Sequence, residues 1–285
     1  MTKGEAQAQA TATGQRSLKF RPLSPVVGAE VTGMDFSREA DQDTVRQLRD
    51  AFDRYNALLF RNVTLAVEEQ ARFGRIFGQI KVRGDYKPNE FPDTQHISNT
   101  RADGMLGDGE LTFHYDQLFY PDPLKAIMLY GVEVPKGKGG ETLFCNTSLA
   151  YDALPDDFKV ELHGLSCIHA YNYKGNRADP NFARSGGADA PRFQHSLVWI
   201  HPRTGRRSLW FSKASTDRVV ELDTAASELL LARLREAVYR PEFIHTHRWH
   251  VGDLLIWSNQ VVQHARTPFD PAEPRTLRRT PIVEG

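Results

Sequence analysis

Cysteine is scarce in this chain: two residues in 285, Cys145 and Cys167. One pair cannot build the disulfide framework of a small secreted domain, and it points to a reducing cytoplasm. Excess charge is also missing, with 36 Lys and Arg against 36 Asp and Glu. That removes the basic surplus a nucleic-acid or anionic-membrane binder needs, so neither is an expected partner. No run comes near the roughly 18 apolar residues of a membrane helix. The opening MTKGEAQAQATATGQ lacks the apolar core of a secretory signal. There is no internal repeat and no glycine-rich phosphate loop; Gly137-Lys138-Gly139-Gly140 reads as a turn. What remains is an ordinary globular composition, 40% apolar and 25% charged, long enough to bury a sizeable core. An enzyme acting on a small molecule is the expectation.

Residues 1–16 hold almost no bulky apolar side chain and read as a disordered tail; 17–285 reads as one domain. Behind Asp41 and Asp43, residues Val45, Leu48, Phe52 and Tyr55 recur at helical spacing and run into a short strand, Leu58–Phe60. A second helix is predicted over Val67–Phe77. Residues 80–125 read as loops with short strands, Ala126–Val134 as a buried strand, and Ser148–Gly164 as helix broken at Pro155. The polar stretch 171–192 has the length and character of a lid. His195–His201, Arg207–Phe211, Phe243–His250 and Asp253–Trp257 read as strands. Thr224–Val238 reads as a helix with Leu229, Leu230, Leu234 and Val238 as its apolar stripe. Helices and strands do not alternate as in a doubly wound sheet, so a mainly antiparallel β fold with packed helices is expected.

The chemistry concentrates in a few segments. In LTFHYDQLFY, His114 and Asp116 stand two apart, which on a strand aims an imidazole and a carboxylate to one face. Two His and one carboxylate on one face of a divalent metal leave positions open for oxygen chemistry. Downstream, an apolar strand precedes His264, and Arg275 and Arg279 follow. Guanidinium groups are fixed, permanently charged forks for carboxylates. Thr142, on a short strand, can add a hydroxyl donor to the same anion. A rival cluster, His245, His247 and His250 in IHTHRWH, offers a zinc-hydrolase reading, and a non-catalytic binding protein is the third possibility.

FHYD, GGETLF, GDLLIWSNQVVQH and the arginines Arg275 and Arg279 occur in the order and rough spacing of the taurine dioxygenase (TauD/TfdA) family. The chain resembles that family of Fe(II)/2-oxoglutarate-dependent dioxygenases from about Leu18 to the C-terminus, including PLSPVVGAEVTGMDFS and LLFRNV. The resemblance implies a double-stranded β-helix, or jelly roll. It implies Fe(II) held by His114, Asp116 and His264, and 2-oxoglutarate held by Thr142 and Arg275. It also implies O2 as second cosubstrate, succinate and CO2 as products, and a homo-oligomer, dimer or tetramer. Arg279 matches an arginine that faces the sulfonate in taurine dioxygenase, so it counts among both cosubstrate and substrate candidates. Where that enzyme sets a His and a Tyr against its substrate, this chain has Arg83 and Tyr86; its substrate-facing Asn falls at Glu110. These departures argue against taurine itself and still favour a small acidic substrate. Trp210, on the strand LWF, is a further candidate for the pocket wall. The presence of Asp116 favours hydroxylation over halogenation.

Overall fold

Runs such as ALLF (57–60), AIML (126–129) and LLIW (254–257) carry no polar alternation, the pattern of strands buried on both faces. In the computed structural model, which describes residues 17–81, 95–107, 109–171 and 189–285, these runs form the centre of a sheet. Leu254–Ser258 lies between Ala57–Phe60 and Ala126–Glu133, antiparallel to both, and Thr276–Val283 follows beside Ala126–Glu133. Lys19–Pro22 and Ala29–Thr32 extend one side. Gln95–Ser98 and Gly104–Met105 extend the other, and Gln79–Ile80 joins Thr276–Val283 to complete nine strands.

The two-residue period of a strand sorts these side chains into two layers. Leu58, Phe60, Met128, Leu254 and Ile256 face the helices Gln42–Tyr55 and Val67–Gly74, meeting Phe52, Phe73 and Phe77. Leu59, Ile127, Leu129, Leu255 and Trp257 face the opposite way. There they meet Phe144 and Val262 of a four-stranded sheet ordered Ile244–His247, Thr142–Asn146, Val262–Arg266, Leu111–His114. The outer face of that smaller sheet is covered by the helices Thr147–Asp152, Asp156–Leu162 and Thr224–Val238. Two sheets face to face, sheathed by helices, make the jelly roll expected from the family resemblance.

Local signals account for most boundaries. The Asp41 carboxylate caps the first helix by accepting from the Thr44 amide at 2.7 Å, and Asp223 does the same for Ala226 in the last helix. Pro155 separates the two short helices as expected. Three details differ. The second helix ends at Gly74 and continues only as turns to Phe77. The stretch 195–201 splits at Leu197 into the ends of two strands in different sheets. Leu229 is 64% exposed; the buried stripe of its helix is Ser227, Leu230, Leu231, Leu234 and Val238. Both cysteines are buried, and burial pushes each thiol up to about 12, so they act as small apolar residues. The segment 1–16 and most of 171–192 lie outside the described residues.

Candidate active site

Strand register builds the centre of the site. Val262–Arg266 pairs antiparallel with Leu111–His114 so that His264 stands directly opposite His114, and their ring centroids are 4.2 Å apart. Asp116 follows two residues after His114, where the Asn259 side chain accepts from its amide at 2.8 Å and donates to its carbonyl at 3.0 Å. One ligand atom from each of His114, Asp116 and His264 lies within 4.8 Å of the others. Asp116 Oδ1 is 3.3 Å from His114 Nε2 and 3.8 Å from His264 Nε2. The other carboxylate oxygen accepts from Arg279 at 2.5 Å.

Electrostatics keep these groups ready to ligate. Burial alone would raise the Asp116 carboxyl, but Arg279 and the two histidines outweigh it and hold the group well below the usual carboxylate range. His264 is pushed down to about 3 by burial, then by His114 and Arg279, so its imidazole is neutral. His114 Nδ1 lies 2.8 Å from the Thr112 carbonyl, which can only accept, so Nδ1 carries a proton and Nε2 is the atom turned toward Asp116. Two imidazoles, that of His264 neutral, and an ionised carboxylate facing one point are a donor set that fits a divalent transition metal.

The same cavity has a cationic end. Arg275, just before the last strand, and Leu277 and Arg279 on it line the cavity, and Thr142 lines it from the smaller sheet. Arg275 is 3% exposed. It donates to the Gly140 carbonyl at 3.2 Å and stacks over Phe269, and among the described residues no carboxylate pairs with it. Burial, reinforced by Arg266, pulls its guanidinium down to about 9. Arg266 donates to the carbonyls of Gly109 and Leu106, tying that loop to the cavity. The turn before Thr142 needs glycine: at Gly139, with φ of 98°, a Cβ would come within 2.1 Å of the Pro268 carbonyl oxygen.

The remaining candidates are placed as follows. Arg83 and Tyr86 lie outside the described residues. Glu110 is exposed. Trp210 is buried in a core cluster with Tyr115 and Leu118, stacked on Trp199 and donating to the Gln260 carbonyl, away from the cavity wall. Arg279 lines the cavity, but its two terminal nitrogens are engaged by Asp116 and Gln95. The histidines at 245–250 do not converge as metal ligands: among the described residues the only such group is the triad. His247 and His250 instead surround Asp253, which accepts from Arg61 at 2.5 Å. A larger surface groove of about 680 Å3 includes none of the triad in its lining, and there Arg203 is paired with Asp53 and Lys125 with Glu284. Sequence reasoning missed Asn259, Gln95, Arg266 and Trp249. Asn259 sat unassigned inside the GDLLIWSNQVVQH motif, where a buried amide after an apolar strand was the available signal.

A jelly roll that brings two imidazoles and a carboxylate together in one cavity has the ligand set of the mononuclear non-haem oxygenases. The family described as taurine catabolism dioxygenase TauD, TfdA family, matches residues 19–280. The alpha-ketoglutarate-dependent 2,4-dichlorophenoxyacetate dioxygenase of Cupriavidus pinatubonensis is 31% identical, covering 94% of this chain and 98% of that one. Pentalenolactone F synthase of Streptomyces arenae is 34% identical over 90% of this chain and 91% of its own. The crystal structure of a taurine dioxygenase from Burkholderia xenovorans superposes with a TM-score of 0.79 at 28% identity, covering 94% and 90% of the two chains. The chain belongs to the TauD/TfdA family and is a 2-oxoglutarate-dependent dioxygenase, which implies 2-oxoglutarate and O2 as cosubstrates. Among the described residues no helix is long and apolar enough to cross a membrane.

Proposed function

We propose that His114, Asp116 and His264 hold Fe(II), that Arg275 and Thr142 hold the distal carboxylate of 2-oxoglutarate, and that the enzyme hydroxylates a small anionic organic substrate with release of succinate and CO2. The observation that carries this reading is Arg275: a buried guanidinium with no carboxylate partner, lining the cavity that the triad also lines. Burying an unpaired charge is costly, so such a group implies an anionic ligand. The metal with its cosubstrate supplies oxygen activation, and the chain supplies position. The Thr112 carbonyl fixes the His114 tautomer, and Arg279 steadies the outward oxygen of Asp116 so that the inward one faces the metal. Ile127, Leu129 and Trp257 line the cavity with apolar surface and limit water near the reacting atoms. Arg83 and Arg279 are the candidates for the substrate's negative group, Arg279 being already engaged by Asp116 and Gln95. The acidic substrate class is supported by the phenoxyacetate named for the Cupriavidus relative. Cytoplasmic location is supported by the two buried free thiols, and a homo-oligomer by the family resemblance.

Anaerobic addition of Fe(II) and 2-oxoglutarate to the protein tests the reading. A weak visible charge-transfer band is expected, absent in His114→Ala and weakened in Arg275→Ala. A wild-type protein that gives no band, or a band indifferent to both substitutions, would overturn it. Succinate formation in a screen of organic acids then separates an enzyme with an open substrate question from a binding protein.

A further inference from the structure

Thr142 can hold an anion only if its hydroxyl proton points into the cavity, and a hydroxyl rotor has no such preference by itself. The structure supplies one. Trp249 lies two residues past the strand Ile244–His247, whose His247 pairs directly opposite Thr142. Its indole Nε1 donates to Thr142 Oγ1 at 2.9 Å, in a buried contact. Both residues are buried, and among the described residues this is the one hydrogen bond that Thr142 Oγ1 makes. A lone pair of the hydroxyl is therefore occupied from behind by a group that can only donate. The hydroxyl proton finds no acceptor among the described residues and is left for whatever enters the cavity.

Trp249 is itself held firmly. The His247 ring meets it edge to face, with centroids 4.6 Å apart and planes at 89°. His247 sits 3.4 Å from Asp253, which also receives Arg61 and the His250 amide. The histidine-rich segment that resembles a second metal site in the sequence is thus the scaffold on which the indole is mounted.

We infer that Trp249 is a positioning residue which makes Thr142 an obligate hydrogen-bond donor, so that the cosubstrate end of the site selects a ligand terminus that only accepts. This inference rests on the cosubstrate reading above and deepens it. Arg275 supplies charge and Thr142 supplies a donor of set polarity, and a carboxylate satisfies both. A carboxamide terminus does not: with its oxygen on Thr142 its amino group meets the Arg275 cation, and with its oxygen on Arg275 its amino group meets a hydroxyl proton that it cannot accept.

The test measures binding, with Fe(II) under anaerobic conditions, of 2-oxoglutarate and of its distal monoamide, 2-oxoglutaramate. Wild type, Trp249→Phe, Thr142→Val and the double variant are compared, with Arg275→Ala alongside. Trp249→Phe is expected to weaken 2-oxoglutarate about fivefold, on the scale of one lost hydrogen bond. It should also shrink the preference for acid over amide by a similar factor, since the freed hydroxyl can then accept. The double variant should bind as Thr142→Val does, within about twofold, because both changes act through one hydroxyl. Losses that multiply in the double variant, or an unchanged acid-to-amide ratio in Trp249→Phe, would overturn the inference, since a packing role predicts both. If wild type binds no 2-oxoglutarate, or Arg275→Ala binds as wild type does, the cosubstrate reading itself fails. Should Trp249→Phe not fold, the Trp249 indole N–H resonance is followed in wild type, Thr142→Ser and Thr142→Val with Zn(II) present. It should move on adding 2-oxoglutarate in the first two and stay fixed in the third; movement in Thr142→Val, or none in wild type, would overturn the inference.

Discussion

Arg275 shows how a single residue can be costly to the fold and still suit a ligand. Its guanidinium has given up water for two 3.2 Å contacts to one carbonyl, and the nearby Arg266 repels it. The protein bears that cost in the absence of an anion. Replacing such a group by an apolar side chain of similar length commonly stabilises a protein. Arg275→Met is therefore expected to raise the stability of the metal-free protein by about 1–2 kcal/mol, the gain being limited by the Gly140 carbonyl left without its donor. Urea denaturation read beside 2-oxoglutarate affinity checks this: stability should rise while affinity falls by at least tenfold. A variant that loses stability would show that the guanidinium serves packing rather than a ligand. Arg279 makes the contrasting case, since its charge is already neutralised by Asp116.

Among the elements, the helix Thr224–Val238 shows what periodicity can and cannot settle. Its limits follow from an Asp cap and an apolar stripe, yet Leu229 lies on the solvent side while Leu230, Leu231 and Leu234 pack against the smaller sheet's outer cluster. Four consecutive positions of mixed small and apolar character allow more than one stripe, and only the packing partner decides. Leu230→Ala should cost about 2–5 kcal/mol through loss of burial and a cavity, whereas Leu229→Ala should change stability by less than about 0.5 kcal/mol. Chemical denaturation of the pair measures both, and equal costs would contradict the burial. The same limit governs the site. The two-residue spacing at the end of a strand made His114 and Asp116 a legible pair, and motif order made His264, Thr142 and Arg275 legible beside them. What spacing does not contain is register between strands distant in sequence. The facing of His264 and His114, the contact of Trp249 with Thr142 and the diversion of Arg279 to Asp116 are all cross-strand relations. Trp210 shows the converse: an aromatic on a strand reads equally as wall or core, and its stacking on Trp199 puts it in the core. The long final strand Thr276–Val283 escaped notice because its arginines break the apolar pattern; Arg278 is buried only because Gln70 and the Leu65 carbonyl receive it.

At the scale of the whole molecule, the cavity lies between the two sheets rather than on either one. The triad comes from the smaller sheet and the turn just past its edge strand, the arginines from the start of the larger sheet's last strand and the residue before it, and the cluster containing Leu129, Phe144, Trp257 and Leu277 joins them. A ligand that bridges metal and Arg275 therefore cross-links the layers, and it can bind only when both are assembled. Its binding free energy then appears in full as resistance to global unfolding. With Mn(II) in place of iron, to prevent turnover, 2-oxoglutarate at about one hundred times its dissociation constant should add roughly 2.7 kcal/mol. For a chain of this size that corresponds to a rise in Tm of about 4–5 °C, as one cooperative transition. Scanning calorimetry of wild type and Arg275→Met decides the matter. Mn(II) alone should raise Tm in both proteins, because the triad is intact in both, but the further increment from 2-oxoglutarate should appear only in wild type. An increment retained in Arg275→Met would place the cosubstrate's distal end elsewhere. Two separate transitions, with only one shifted by ligand, would mean that the sheets unfold independently and that the cavity does not join them.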